Sequence, residues 1–393
     1  MSGLYSDRIL NTKPSFARQI LKVTEVNDFI SFAGGLPNPI SFPLQELSEA
    51  SKRVIETSGE KVFQYSTTEG YLPLRQFIAE RYKKRFGLEF TPEDVIITTG
   101  SQQGLDLIGK ALINKGDRIL IEEPGYLGAI QSFSLYEPQF LPVPLEEDGI
   151  NLEELEHALK KDHVKVFYSV PNYQNPTGLT YSRSKRETIY KLLEKYKVVL
   201  VEDDPYGELN FSGETLPYIG AGKLEYSVLF GSFSKTITPG MRLGFLVTKN
   251  KELMNYVNVA KQGSDLHTNI FAQYLIHDYL IHNDYDQHIA RIKTLYRAQS
   301  DAMISAIETH FPSYISCTKP QGGMFLWATL HNGMAAMELV EAAKEVKVMF
   351  VPGDPFYPYK EKVNTLRLNY TNSDPDTIEE GIQRLGKIFY RYA

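Results

Sequence analysis

The feature that most constrains this chain is a series of short, continuously apolar runs, each broken off by turn or polar residues. They are DVIITTG (94–100), DRILIEEPGY (117–126), HVKVFYSVPN (163–172), KVVLVEDDPY (197–206), YSVLFGS (226–232) and LGFLVTK (243–249). Apolar runs that do not alternate with polar residues must be buried on both faces. Helix-like stretches such as SRSKRETIYKLLEKY (182–196) separate several of them. Strands of this kind alternating with helices give an α/β fold with a mostly parallel sheet covered on both sides. In such sheets functional residues gather where strands end, and the polar clusters of this chain sit at those ends.

The C-terminal part reads differently. A long helical region runs from about Asp265 to His310, then GGMFLWATL, VMFVPG and NTLRLNYT read as strands, and a helix closes the chain over 375–391. The expectation is a smaller α+β domain beside the large one, as a length of 393 residues also suggests. The stretch SFARQILKVTEV (15–26) reads as an amphipathic helix too short to fold alone. The expected division is an N-terminal segment 1–40 packed with the small domain, a large domain 41–285 and a small domain 286–393.

Composition narrows the partners. Hydrophobic residues at 42% and charged residues at 23% are ordinary for a soluble globular protein. A net charge of −6 supplies no positive field to attract nucleic acid or an anionic membrane. Cys317 is the only cysteine, so no intrachain disulfide can form, which fits a reducing compartment. The start, MSGLYSDRILNTKPSF, lacks the basic head and apolar core of a signal peptide. No apolar run approaches the roughly 20 residues that span a bilayer. A cytoplasmic protein is expected.

Four clusters carry chemistry. Gly100-Ser101-Gln102-Gln103-Gly104 opens a helix after the first strand, where free backbone N–H groups, the helix dipole and a hydroxyl make a phosphate site; alone, it reads more readily as a glycine turn with a capping serine. YQNPTG (173–178) offers an Asn amide in a Pro-Gly turn. EDDPY (202–206) puts carboxylates and a tyrosine at a strand end, where an Asp could also cap the next turn. GSFSKTITPGMRLG (231–244) sets Lys235 in a hydroxyl-rich turn between two apolar runs, with Arg242 seven residues on. A lysine pointing into water is the plain alternative.

Taken together, these four clusters describe one ligand, a phosphorylated aromatic aldehyde, and with SFAGGLPNPISFP (31–43), FQYSTTEGYLPLR (63–75), KQGSDLHT (261–268), KPQGGMFLW (319–327) and NTLRLNY (364–370) they carry a family resemblance. Over nearly its whole length the chain resembles the class I/II aminotransferases, pyridoxal-phosphate (PLP) enzymes of fold type I. Within them it is most similar to the branch of 2-aminoadipate, kynurenine and aromatic aminotransferases.

The resemblance implies a role for each matched residue. Lys235 forms the imine with the PLP aldehyde, which requires a neutral amine, favoured by desolvation and nearby positive charge. Asp203 pairs with the pyridine nitrogen, so that the ring serves as an electron sink. Asn175 and Tyr206 hydrogen-bond the phenolic oxygen and Tyr126 stacks on the ring. Ser101, Gln102, Ser232, Ser234 and Arg242 hold the phosphate. Arg367 clamps the substrate α-carboxylate, although a surface salt bridge is its bland alternative. Gly34 and Gly35 let the backbone approach the substrate. Tyr65 reaches the neighbouring subunit's phosphate, which implies a homodimer. Arg18, on the N-terminal helix, stands where this branch has an arginine that can meet a distal carboxylate; an exposed helix arginine explains it as well. PLP is the implied cofactor, with no metal.

The implied activity moves an amino group from an L-amino acid (2-aminoadipate, aromatic or aliphatic) to a 2-oxo acid such as 2-oxoglutarate, by a ping-pong cycle. Two other readings share most of these residues: another fold type I chemistry such as a β-lyase, and a non-catalytic PLP-binding sensor. Sensors of this type carry a DNA-binding segment in front, and FAGGLP beginning at residue 32 leaves no room for one.

Overall fold

The computed structural model describes residues 3–12, 14 and 29–392. Arg18 and the helix expected over 15–26 lie outside the described residues. In chain order the strands are β1 (Ile30–Ser31), β2 (Val95–Thr98), β3 (Arg118–Glu123), β4 (Gln139–Glu146), β5 (Gly149–Ile150), β6 (Val164–Ser169), β7 (Val199–Asp203), β8 (Ser227–Ser232) and β9 (Gly244–Val247). Five more follow: β10 (Ile315–Cys317), β11 (Phe325–Leu330), β12 (Val348–Met349), β13 (Val351–Pro352) and β14 (Thr365–Asn369).

All six apolar runs form strands of one eight-stranded sheet, in the order β2-β9-β8-β7-β6-β3-β4-β5. Its centre, from β8 through β7, β6 and β3 to β4, is parallel. β9 runs antiparallel to both neighbours, because only the tight turn 233–243 joins it to β8.

Neighbouring side chains along a strand enter different cores, as double-sided burial requires. Ile96 packs with Leu105 and Ile108 of the Gly100–Leu112 helix, whereas Ile97 packs with Ile276 and Tyr279 of the Ile270–His282 helix. Val166 and Tyr168 share the first core, while Phe167 joins Ile189 and Leu193 of the Arg183–Tyr196 helix. Each such Val, Ile or Phe, being almost fully buried, contributes roughly 1.5–3 kcal/mol.

The strand ends are in register, which is what assembles the site. Thr98 and Ser232 both pair with Gly244, and Asp203 pairs with Phe230. The turns after β2, β3, β6, β7 and β8 therefore open at one edge of the sheet.

The helical region after Asp265 is two helices rather than one. They are Ile270–His282 and Tyr285–His310, and the break falls where the Asp284 side chain accepts the Gln287 N–H at 2.9 Å and starts the second helix. At its start Tyr285 donates to Thr236 Oγ1, beside Lys235. Farther on it packs along the closing helix Pro375–Arg391. It thus leads from the large sheet to a second, antiparallel sheet, β10-β11-β14-β13. There Arg367 lies in β14 between Trp327 and Val351. β1 pairs in parallel with β12, and Phe32 O accepts from Asn369 N at 2.8 Å, which brings residues 33–35 against β14.

Candidate active site

One cavity of about 280 Å³ lies at the common edge of the strand ends. Ser101, Gln102, Tyr126, Asn175, Asp203, Tyr206, Ser232, Ser234, Lys235, Arg242, Gly35 and Arg367 all line it. Residues from seven separate stretches of the chain thus meet in one place. Gly34 is buried between two lining residues, Ala33 and Gly35. Tyr65 is not part of this cavity; it is 80% exposed and meets His267 edge-on at 5.9 Å.

At one end the Gly100–Leu112 helix presents its first turn. Gly100 has φ +69°, and a Cβ there would stand 2.7 Å from Arg242 Nη2, so only glycine lets the guanidinium lie against the helix start. Gly244 is equally constrained, since a Cβ would meet the Gly100 backbone at 2.8 Å. Ser101 Oγ is buried with no partner among the described residues. Ser232 Oγ accepts the Ser234 N–H at 3.1 Å, and Gln102 Nε2 donates to Gly128 O at 3.2 Å. The KQGSDLHT motif braces this end. Buried Lys261 donates to Gln103 Oε1, Asp265 and Thr268 at 2.8–3.0 Å, and Gln103 Oε1 also accepts the Thr99 N–H.

At the opposite end the Arg367 guanidinium is buried over the Phe325 ring, 4.3 Å from its centroid. Its Nη1 donates to Asn175 Oδ1 at 2.8 Å and its Nη2 to Ala33 O at 2.7 Å, while Nε has no partner among the described residues. Burial lowers its pKa to about 10, so it remains a cation at neutral pH.

Lys235 lies between these ends, with Nζ donating to Gly35 O at 2.8 Å. Burial, then the charges of Arg367 and Arg242, push its pKa down to about 8. Lys235 therefore gives up its proton far more readily than an ordinary lysine, and Arg367 adds to the causes expected from the sequence. Asn175 Nδ2 reaches the Tyr206 hydroxyl at 3.4 Å. Burial raises Asp203 to about 7. Its Oδ2 accepts from Tyr168 at 2.7 Å, while Oδ1 is buried without a partner.

Three residues of this framework went unread in the sequence. Glu122 accepts from Ser169, the Val170 N–H, Gln174 and Tyr181 at 2.7–2.9 Å. Gln174 in turn accepts from Thr177 N–H and hydroxyl, which fixes the turn carrying Asn175. A glutamate inside the apolar run DRILIEE was the available signal, because a buried carboxylate must be satisfied. Tyr168 gave none; an aromatic in an apolar strand reads as core.

The donor set fits an anionic, aromatic ligand. Two guanidinium groups and a lysine face a single lining carboxylate. A buried carboxylate with a free oxygen and, among the described residues, no cationic neighbour suits a protonated ring nitrogen. A partnerless serine at a helix start beside an arginine suits a phosphate. The fold and site define a fold type I enzyme of the kind that uses pyridoxal 5′-phosphate.

A family model, aminotransferase class I and II, matches residues 33–385, and the chain belongs to that family. It is 40% identical to aromatic-amino-acid aminotransferase 1 of Thermococcus litoralis, over 98% of this chain and 93% of the relative. Its fold is similar to that of the kynurenine aminotransferase of Pyrococcus horikoshii solved with PMP, with a TM-score of 0.94 and 39% identity over 100% and 98% of the two chains. It is also similar to the α-aminoadipate aminotransferase of Thermus thermophilus complexed with N-(5′-phosphopyridoxyl)-L-leucine, with a TM-score of 0.92 and 39% identity over 99% and 98%. The protein is a pyridoxal-phosphate-dependent aminotransferase.

Proposed function

We propose that this aminotransferase takes its amino group from large L-amino acids, namely 2-aminoadipate, aromatic residues and leucine-like aliphatics, and passes it to 2-oxoglutarate. The observation that carries the reading is the pairing of Lys235, its pKa lowered to about 8, with cationic Arg367 across one cavity: an amine to handle the α-nitrogen and a fork to hold the α-carboxylate. The broad donor range rests on relatives named for aromatic amino acids, kynurenine and α-aminoadipate, one of them holding a leucine adduct.

When bound, the cofactor supplies an aldehyde that attaches amines and a ring that accepts the electron pair of the Cα–H bond. Arg242, Ser101, Ser232 and Ser234 hold its phosphate, with Gln102 and the helix start beside them. Asp203 keeps the ring nitrogen protonated. Asn175 and Tyr206 donate to the ring oxygen, and Tyr126 covers one face. Lys235 carries the covalent attachment. Once displaced by substrate and deprotonated, its Nζ would serve as base for the Cα proton and then as the donor of that proton. Arg367 fixes the carboxylate so that this proton lies within reach. Gly35 and Gly34 keep the substrate's other side free of side chains. Donor and acceptor use the same cavity in turn, which makes the kinetics ping-pong.

The active unit in this reading is a homodimer, with Tyr65 serving the partner's phosphate. Its support is the exposure of two aromatic residues close in sequence, Tyr65 at 80% and Phe63 at 70%, the latter stacked on half-buried Phe271 at 5.8 Å. The lone cysteine suits a reducing, cytoplasmic setting. The division at 285/286 follows the long helix that joins the two sheets. Arg18 as a distal-carboxylate contact rests on the sequence resemblance.

The experiment is to add L-2-aminoadipate, L-phenylalanine, L-leucine and L-glutamate singly to the holoenzyme and follow the cofactor's absorption, then add 2-oxoglutarate. Conversion by the first three, reversed by the oxo acid, is the expected result. Release of ammonia and pyruvate from β-substituted amino acids, without amino transfer, would instead identify a β-lyase.

A further inference from the structure

We infer that Tyr168 is a positioning residue for Asp203: its phenol holds one carboxylate oxygen so that the other is kept, charged and oriented, for the cofactor's ring nitrogen. The inference rests on the reading of Asp203 given above. Tyr168 lies in β6 and Asp203 ends the adjacent β7, with Tyr168 paired to Val201 in the parallel register. The phenol O–H donates to Asp203 Oδ2 at 2.7 Å, and both residues are only 1% exposed. Asp203 Oδ1 is left as a buried oxygen with no partner among the described residues, on a residue that lines the cavity.

The surroundings make this one contact matter. Asp204, next in sequence, and Glu122, from β3, both place negative charge near Asp203 and oppose its ionisation, as burial does. Tyr168 is the neighbour that favours the charged form. Burial also drives the phenol's own pKa well above 10, so Tyr168 stays a donor throughout the working range. Its ring is fixed edge-on against Phe133 at 5.9 Å, which gives the O–H a defined direction. A core-filling tyrosine needs only its ring. This one spends its hydroxyl on a residue with an unfilled hydrogen-bonding position facing the chemistry.

The test compares apoprotein affinities for pyridoxal 5′-phosphate and for its 1-deaza analogue, in which C–H replaces the ring nitrogen. The wild type is expected to prefer the nitrogen-bearing cofactor. In Tyr168→Phe the affinity for the analogue stays the same and the preference falls about tenfold, the size of one hydrogen bond to a charged group. Equal loss of both affinities, or an unchanged preference, overturns the role of Tyr168. A wild type without preference overturns the reading of Asp203 instead. Should Tyr168→Phe lower the melting temperature, Asp203→Asn with and without Tyr168→Phe decides the matter. Tyr168→Phe adds nothing to the ratio once Asp203 is gone; a further fall refutes the inference.

Discussion

Arg367 Nη1 donates to Asn175 Oδ1 at 2.8 Å, a contact that ties the central strand of the small sheet to the turn after β6 of the large one. The same guanidinium keeps an unpaired Nε and rests on the Phe325 ring. Lysine would preserve the charge but not the planar fork. Arg367→Lys is expected to raise KM for amino acid and oxo acid by about 10- to 100-fold, with cofactor affinity nearly unchanged. Steady-state kinetics and cofactor titration check this; an unaltered KM removes Arg367 as the carboxylate clamp.

Replacing Lys235 removes the attachment and the proton carrier together. Lys235→Ala is expected to slow turnover by roughly 10³-fold or more, while the melting temperature stays within a few degrees. Single-turnover absorption measurements with L-phenylalanine provide the check. Near-normal turnover would falsify the assignment.

The depressed Lys235 pKa gives a signed pH effect. Below about 8 the amine is mostly protonated, so its reactivity rises about tenfold per pH unit and levels off above 8. Competitive labelling of the apoprotein with acetic anhydride, read by mass spectrometry, locates the midpoint. Because Arg367 contributes to the depression, Arg367→Ala should move that midpoint to higher pH. A midpoint above 10 in the wild type would remove the desolvated-amine argument.

Gly100 tests the phosphate end. A methyl group there meets Arg242 and sits on a backbone with positive φ. Gly100→Ala is expected to weaken cofactor binding about tenfold and to cost about 1 kcal/mol of stability. Titration of the apoprotein and denaturant unfolding measure the two effects separately.

Mixing two inactive variants tests the dimer. In a heterodimer of Lys235→Ala with Tyr65→Ala, one site regains both side chains if Tyr65 serves its partner. Co-refolding should then restore about a quarter of wild-type activity, since half the dimers are mixed and each has one intact site of two. Confirmed heterodimers without recovered activity would confine Tyr65 to its own chain.

The large sheet was legible because its strands are buried on both faces, and DRILIEE or KVVLVED allows no other use. The strand ends were legible because the apolar runs gave way there to polar residues, although several of these, Asp203 among them, are themselves buried. What escaped was the bracing between ends. Glu122 satisfies partners 47 to 59 residues away, and no spacing rule links residues across separate strands. The break at Asn283–Asp284 was also missed, because apolar spacing continues through it and only the capping of Gln287 interrupts the helix. β1 and β12, two residues each, are too short to show any period.

Ala33 and Gly35 share a further consequence. Their two carbonyls, one residue apart from each other, receive Arg367 Nη2 and Lys235 Nζ respectively. A single three-residue strap therefore sets the distance between the group that reads nitrogen and the group that reads carboxylate. That distance is common to every α-amino acid. Drift in the strap would spoil the grip on all substrates alike, whereas the walls beyond it can change freely. Constancy of the head and latitude for the tail are thus written into different parts of the chain, and selectivity can evolve without retuning the chemistry.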